Sequence, residues 1–285
     1  MYSGSTFTSY SGHLLGAHQK IDRVSRRHLQ KLLPDNHFPK IATILNFEGD
    51  NGPDGIKRKS PAKNEPWHFI MPFDDKDTQL IGLIEGHYNL LVKALKDKDD
   101  VRAAFEAAWL AHAVVDGLTP AHHYPYEEKL EELMGKGIHH RTTVRHKILM
   151  PGTSRKHQMA NNWKMWGPKG LFVTHGTFEL GVATLIVPMK LVKAMPSKAD
   201  IDEFNSQDLG KWFRKTAQGI ASLNLYDTFY KFGWTIPLSY KVRRILAPTL
   251  VKSVTLVWYA ALNDANQVGL EVESSNHHTD TERIR

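Results

Sequence analysis

The sequence contains no cysteine, and this absence removes two kinds of chemistry. Disulfides are excluded, and so are thiolate ligands, so any bound metal must be held by nitrogen and oxygen atoms. A cysteine-free chain fits the cytosol and also cysteine-poor secreted bacterial proteins, which leaves the compartment open. The polar N-terminus, MYSGSTFTSYSG, lacks the basic start and apolar centre of a secretory signal. We therefore expect a protein that stays inside the cell, or a chain given in its mature form.

Long apolar runs are missing as well. The most apolar stretch, residues 181–187, ends at Pro188. A membrane-spanning helix needs about 20 predominantly apolar residues. The sequence therefore predicts no transmembrane segment.

The alternation of apolar and polar residues that marks a half-buried strand is also absent over any convincing length. Apolar residues recur instead with the period of an amphipathic helix, so we expect an all-α fold. Since 285 residues can bury one full core, the prediction is a single helical domain over residues 1–265 and a polar, disordered tail over 266–285. The predicted helices span residues 13–33, 78–95, 99–115, 126–134, 172–187, 208–232 and 239–262.

Acidic residues are absent from residues 133–170, which carry eight lysines and arginines together with Trp163 and Trp166. Basic and aromatic residues together suit phosphate-bearing ligands, through charge neutralisation and stacking. The plainer alternative is a solvated basic insertion. The formal charge of the whole chain, +7, likewise favours an anionic partner, either nucleic acid or an acidic lipid surface, although such a charge is common in proteins that bind neither.

The most informative pattern that is present is a His-x3-Asp-x5-His string in AWLAHAVVDGLTPAHHY. Its first two members, His112 and Asp116, lie one helical turn apart and so project from one face. Pro120 ends that helix and turns the chain, which brings His122 back toward the same pocket. Two imidazoles and a carboxylate that converge in this way indicate a zinc site.

Further candidate ligands lie on both sides of this string. His175 and Glu179 repeat the one-turn spacing in THGTFELG. Upstream, a long irregular segment holds Asp54 and His68, and its aromatic residues predict that it packs against the core. Asp50, four residues before Asp54, is an alternative to it, and a turn-forming role would suit either residue.

Taken together and in this order, these motifs resemble the zinc-dependent phospholipase C and S1/P1-type nuclease superfamily. HAVVDGLTPAH is similar to the family's central motif, and HGTFE to its His-x3-Glu/Asp motif, with the glutamate closer to the phospholipase C branch. PDG at Asp54 and PWHF at His68 resemble the family's isolated Asp and the His that follows it. The resemblance implies an all-helical enzyme with a long basic insertion at residues 133–170.

The resemblance also implies two or three zinc ions and assigns their ligands. One site would comprise His68, His112, Asp54 and Asp116. A second would comprise His122, His175 and Glu179. Asp116 would bridge to a third ion.

The remaining ligand of that third ion would be an N-terminal histidine, for which His18 is preferred and His13 is the alternative. Secreted family members add the amino group of a processed N-terminal tryptophan, whereas this chain starts MYSG. The third ion would therefore be absent, weakly held or bound by another N-terminal group.

The resemblance predicts a phosphodiesterase of the phospholipase C type that acts on a phospholipid head group, with Asp54 as the residue that orients or deprotonates the attacking water. Two alternatives stay open. One is a nuclease or nucleotidase with the same metal chemistry, favoured by the basic insertion. The other is a metal-binding protein of the same fold that has no catalytic activity.

Overall fold

A computed structural model of the protein describes residues 1–2 and 16–281, with side chains as far as residue 266. Within these residues the fold is all-α, and no strand is found. The helices are α1 Ala17–Leu32, α2 Ile41–Leu45, α3 Pro53–Lys59, α4 Gln79–Lys96, α5 Asp100–Gly117, α6 Tyr126–Met134, α7 Arg145–Ile148, α8 Arg155–Trp166, α9 Leu171–Ile186, α10 Lys198–Asn205, α11 Leu209–Ala221, α12 Leu225–Phe232, α13 Ile236–Lys241 and α14 Ala247–Thr281. Short 3-10 turns lie at Gly49–Asn51, Ala62–Asn64, Pro120–His123, Ile138–His140 and Val192–Ala194.

The centre of the molecule is α5. Its N-terminus is capped by the side chain of Asp99, which accepts a hydrogen bond from the backbone N–H of Arg102 at 2.9 Å. Small residues on the helix let α4 and α14 approach it closely, and the indole N–H of Trp258 on α14 donates to the carbonyl of Ala107 at 3.0 Å. The buried alanines are Ala103, Ala104, Ala107, Ala108 and Ala111.

Helix α1 packs against α5 and α14. The hydroxyl of Ser25 on α1 donates to the carbonyl of Val251 on α14 at 3.1 Å. The two ends of the described fold therefore meet beside the central helix, and this contact fixes the orientation of α1.

One stretch, Ile236–Asn266, is long and apolar enough to cross a membrane by length and composition alone. It consists of α13, a π-helical turn at Val242–Leu246 and the first part of α14. Most of it is buried inside the fold, as in the core helix of a soluble protein.

The basic insertion is folded onto the rest of the molecule. It contains α7 and α8, and a second apolar cluster attaches it to α6 and to the segment before α4. That cluster comprises Phe69, Tyr126, Leu130, Met134, Met150 and Met165.

Some of the predicted helices are divided in the structure. The helix predicted over residues 208–232 is two helices, α11 and α12, because Asn224 adopts a left-handed conformation with φ of 51° between them. The helix predicted over residues 239–262 begins in α13 and continues through the π-helical turn at Val242–Leu246 into α14. The described backbone of α14 runs as far as Thr281, and the disorder expected of residues 266–285 stays a prediction.

Candidate metal centre

The central helix α5 presents two of the predicted ligands at its C-terminal end. His112 is 2% exposed and Asp116 is fully buried. The His112 Nε2 atom lies 3.3 Å from Asp116 Oδ2, as the one-turn spacing requires. An ionisable pair this deep in an apolar helix needs compensating partners, and four other segments supply them.

The turn after α5 brings His122 back beside Asp116. The chain turns at Pro120–His123, and the Nδ1–H of His122 donates to the backbone carbonyl of Asp116 at 2.8 Å. This hydrogen bond leaves the Nε2 atom of His122 directed at Glu179, 3.1 Å from Oε1. The next histidine, His123, bonds instead to the carbonyl of Gly117 at 2.9 Å.

Helix α9 carries His175 and Glu179 into the same space. The Nε2 atom of His175 lies 3.3 Å from Oε1 of Glu179, and its ring centroid lies 5.0 Å from that of His122. The potential ligand atoms of His122, His175 and Glu179 all lie within 4.8 Å of one another. These are the three residues that the resemblance groups in the second metal site.

Asp54 enters from the short helix α3. Its Oδ1 atom lies 3.6 Å from Nε2 of His112, and Asp54, His112 and Asp116 form a second group of potential ligands. Asp50 lies elsewhere, because its carboxylate pairs with the surface side chains of Arg58 and Lys59. Of the two aspartates in this loop, the structure therefore brings Asp54 to the centre.

His18 approaches from α1. Its ring stacks on that of His112 with centroids 3.9 Å apart and an interplanar angle of 2°, and its Nε2 atom lies 3.2 Å from Asp116 Oδ1. His18 is thus the N-terminal histidine that reaches the cluster. The alternative residue, His13, lies outside the described residues.

His68 lies at the edge of the cluster, beside His122. Its ring centroid is 4.9 Å from that of His122, and its Nδ1–H donates to the carbonyl of Pro66 at 3.0 Å. That hydrogen bond leaves Nε2 as the nitrogen available to a ligand. The resemblance assigns His68 to the first site, whereas its ring contacts are with His122 and Phe69.

The amino group of Met1 is also buried in this pocket. It contacts the carboxylate of Asp116 and lies 3.2 Å from Glu179 Oε1. The nitrogen of Met1 therefore lies beside two of the candidate ligands, Asp116 and Glu179.

Two further residues of the centre are not among those predicted from the sequence. The ammonium group of Lys57 lies 3.1 Å from Asp54 Oδ1 and 3.0 Å from Asp116 Oδ2. On the opposite side of His112, the buried carboxylate of Glu48 places Oε2 3.3 Å from Nδ1. A carboxylate behind a ligand histidine fixes the orientation and tautomer of its ring.

The pKa values of three carboxyl groups of the centre, those of Asp54, Asp116 and Glu179, are held below their usual range. Burial alone would raise the pKa of Asp116, but the ammonium groups of Lys57 and Met1 hold it well below its usual range. In Glu179, burial is likewise outweighed by the Met1 amino group and His175, which lower its pKa.

Most of the imidazoles around these carboxylates are neutral. Burial lowers the pKa of His18 and that of His68, and it lowers the pKa of His122 to about 4. His112 differs: burial lowers its pKa, but the surrounding carboxylates, led by Asp116 and Glu48, raise it well above the usual range. Neutral imidazoles and ionised carboxylates are the forms in which these side chains bind metals.

The donor set fits a zinc ion. Imidazole nitrogen and carboxylate oxygen are its usual ligands in the absence of cysteine. Among the described residues, the buried atoms of the centre that make ion-pair contacts but no hydrogen bond of suitable geometry include Nε2 of His18, Nε2 of His112 and Oε1 of Glu179. Buried polar atoms without such a partner require an explanation, and a shared cation provides one.

Comparison of the chain with models of protein families, with curated proteins and with solved structures gives no match.

Proposed function

We propose that this protein is a zinc-dependent phosphodiester hydrolase, of the phospholipase C type. One observation carries the proposal: imidazoles and carboxylates from α1, α3, α5, the turn after it and α9 meet in one buried pocket as overlapping groups of potential ligands. A structural zinc site needs one such group, whereas hydrolysis of a phosphodiester uses two ions close together.

The ligands would divide between two principal positions. His122, His175 and Glu179 would hold one ion, and Asp54, His112 and Asp116 the other. When bound, the zinc ions supply positive charge to the phosphoryl oxygens and lower the pKa of a water molecule.

The protein's own residues would orient that water and the substrate. Asp54 is held in its ionised form, since the effect of burial on its pKa is outweighed by Lys57 and His112, and its carboxylate can therefore accept a hydrogen bond from the water and orient it. Lys57 lies beside it on a long flexible side chain, and its ammonium group could turn from the carboxylates to a phosphoryl oxygen. Glu179, rather than an aspartate, favours the phospholipase C branch over the nucleases.

The test compares turnover and bound metal in two ligand variants and one control. We expect His112→Ala and His175→Ala to lose bound zinc and about 100-fold or more of their turnover on phosphatidylcholine vesicles, because each removes a proposed ligand. His139→Ala is the matched control, since His139 is exposed in the basic insertion. Elemental analysis and product release are measured together, with circular dichroism to confirm that the helices remain.

Single-stranded DNA, assayed in parallel, separates the two branches of the superfamily. Turnover of DNA alone would assign the chain to the nucleases. Full activity in His175→Ala would contradict the proposal that this protein is a zinc-dependent hydrolase.

One observation favours a second function, a protein of this fold without catalytic activity. The ammonium groups of Lys57 and Met1 already place two positive charges among the carboxylates. If elemental analysis finds no bound zinc and neither substrate is hydrolysed, these charges compensate the carboxylates in place of metal.

A further inference from the structure

The basic insertion carries an exposed apolar patch, which consists of Ile148, Met159, Trp163, Trp166 and Phe172 and is called here the α8 patch. Met159 is 74% exposed, Trp163 69% and Ile148 57%. Large apolar side chains exposed together on one surface indicate an interaction site, whereas single ones do not.

The five side chains of the α8 patch are neighbours. Met159, Trp163 and Trp166 follow the four- and three-residue spacing of one helix face. The Trp166 indole N–H donates to the carbonyl of Ile148 at 2.8 Å, and its ring lies 4.7 Å from that of Phe172. The patch is therefore continuous from α7 across α8 to the start of α9.

Other side chains of α8 anchor the helix to the rest of the insertion. The side chain of Asn162 donates to the carbonyl of Met150 at 3.0 Å and accepts from its N–H at 3.2 Å. Asn161 donates to the carbonyl of Pro151 at 2.9 Å, and Met165 is buried in the second apolar cluster. With these groups held inward, α8 keeps its aromatic face in solvent.

Positive charge surrounds the patch. Arg141 and Lys147 of the insertion are used internally, in ion pairs with Glu127 and Glu65. The remaining basic residues are exposed and form no ion pair with any residue that the structure describes: Lys136, Arg145, Arg155, Lys156, Lys164 and Lys169. Because residues 133–170 contain no acid, this surface complements an anionic partner.

We propose that the α8 patch and its basic rim dock the protein on an anionic lipid surface, with Trp163 and Met159 inserted at the level of the head groups. Tryptophan prefers that interface because its ring is apolar and its N–H is polar. Transfer to an apolar phase stabilises the side chains of Met159 and Ile148. Neither residue has a ring on which a nucleobase could stack. The mixture of aliphatic, aromatic and basic residues therefore favours lipid over nucleic acid.

A cavity lies beside the basic residues of the insertion. Its volume is about 730 Å³, and its lining runs from Lys164 and Lys169 to Thr174, the residue before His175. A protein docked through α8 would hold this cavity beside the lipid. Docking itself does not depend on hydrolysis, so its test stands apart from that of the proposed function.

The test measures binding of the full chain to phosphatidylcholine vesicles with and without phosphatidylglycerol, by co-sedimentation. We expect binding to be at least tenfold stronger when the anionic lipid is present, with loss of this difference at high salt. Met159→Glu/Trp163→Glu should weaken it about tenfold or more, because insertion of both side chains is lost. Lys156→Glu/Lys164→Glu should weaken it to a similar extent, at about 1 kcal/mol for each basic residue near the surface.

Val101→Glu is the matched control, because Val101 is 63% exposed at the start of α5, outside the insertion. It should bind as the unchanged protein does. A blue shift of tryptophan emission on binding should shrink in Trp163→Phe, which keeps an aromatic side chain at this position. The proposal is overturned if the unchanged protein does not bind the anionic vesicles, if Val101→Glu weakens binding equally, or if single-stranded DNA is bound in preference to the vesicles.

Discussion

At the scale of single residues, Lys57 is the side chain that most affects the charge of the centre. Its ammonium group lies within 3.1 Å of two buried carboxylates, Asp54 and Asp116. Burial lowers its pKa, but these carboxylates raise it overall, so the lysine remains charged. Lys57 therefore occupies the space between two proposed ligands and supplies charge that a metal ion would otherwise provide.

We expect Lys57→Met to destabilise the metal-free protein by roughly 3 kcal/mol, because it leaves Asp54 without its cation and the buried Asp116 with the Met1 amino group alone. Zinc should restore most of the loss, since it brings positive charge to the same carboxylates. Urea unfolding with chelator and then with zinc measures both effects.

Lys59→Met is the control for this prediction. Lys59 pairs with Asp50 on the surface, so its loss should cost about 1 kcal/mol or less, and zinc should not change it. Equal destabilisation by both variants, or a Lys57 variant that zinc does not rescue, would contradict the role given to Lys57.

Sequence reasoning identified the residues that follow a recognisable spacing and missed those that do not. His112 and Asp116 lie one turn apart in an apolar helix. This pattern indicates a buried polar site, because burying an isolated Asp in such a helix would cost free energy. Lys57 belongs to the basic run IKRK, which is typical of a solvated helix face. The one feature that separates it from the other basic residues of this run is its position one helical turn after Asp54. Glu48 lies 64 residues from His112, and no local pattern connects them.

At the scale of helices, the end of α5 depends on Gly117. A Cβ atom at this position would lie 2.5 Å from Leu80 Cδ2 on α4 and 2.6 Å from Phe213 Cζ on α11. The three helices meet here, directly before the turn that returns His122 to the centre. Only glycine lets them approach this closely.

Gly117→Ala should lower the free energy of unfolding by about 1–3 kcal/mol, because overpacking a filled core forces its neighbours apart. Chemical denaturation measures the change. In Gly82→Ala, the control on α4, the added methyl group meets nothing within 4 Å. That substitution should be neutral or stabilising by up to about 1 kcal/mol, since alanine is the better helix former. Similar effects from both variants would show that Gly117 is not a close-packing position.

The positions of helices were predictable where a single amphipathic pattern is bounded by residues that start and end a helix. The predicted helix over 126–134 coincides with α6, and those over 78–95 and 99–115 fall within two residues of α4 and α5. The division of 208–232 was not predictable, because Asn224 is compatible with a helix and tertiary contacts select its left-handed conformation. The short helices α2 and α3 arise in a segment whose prolines and glycines predict irregular structure.

At the scale of the whole molecule, the centre connects segments from both halves of the chain. His18 and His175 belong to helices that are separated by more than 130 residues. An ion bound by such ligands stabilises the folded state alone, since the unfolded chain does not hold them together.

Zinc at about 100 times its dissociation constant should raise the free energy of unfolding by about 2.7 kcal/mol, and the melting temperature by roughly 5 °C. A thermal melt with chelator, zinc or magnesium checks this. Magnesium should have little effect, because imidazole ligands suit zinc and magnesium prefers oxygen. A melting temperature that zinc leaves unchanged would count against a metal in this pocket.

The contact between Ser25 and Val251 has a consequence for biosynthesis. Helix α1 emerges from the ribosome early, but its partner α14 is translated more than 200 residues later. The nascent chain therefore exposes the face of α1 that packs against α14 until α14 has been translated. A polypeptide with such distant pairings folds slowly, so during synthesis its apolar helices are candidates for chaperone binding.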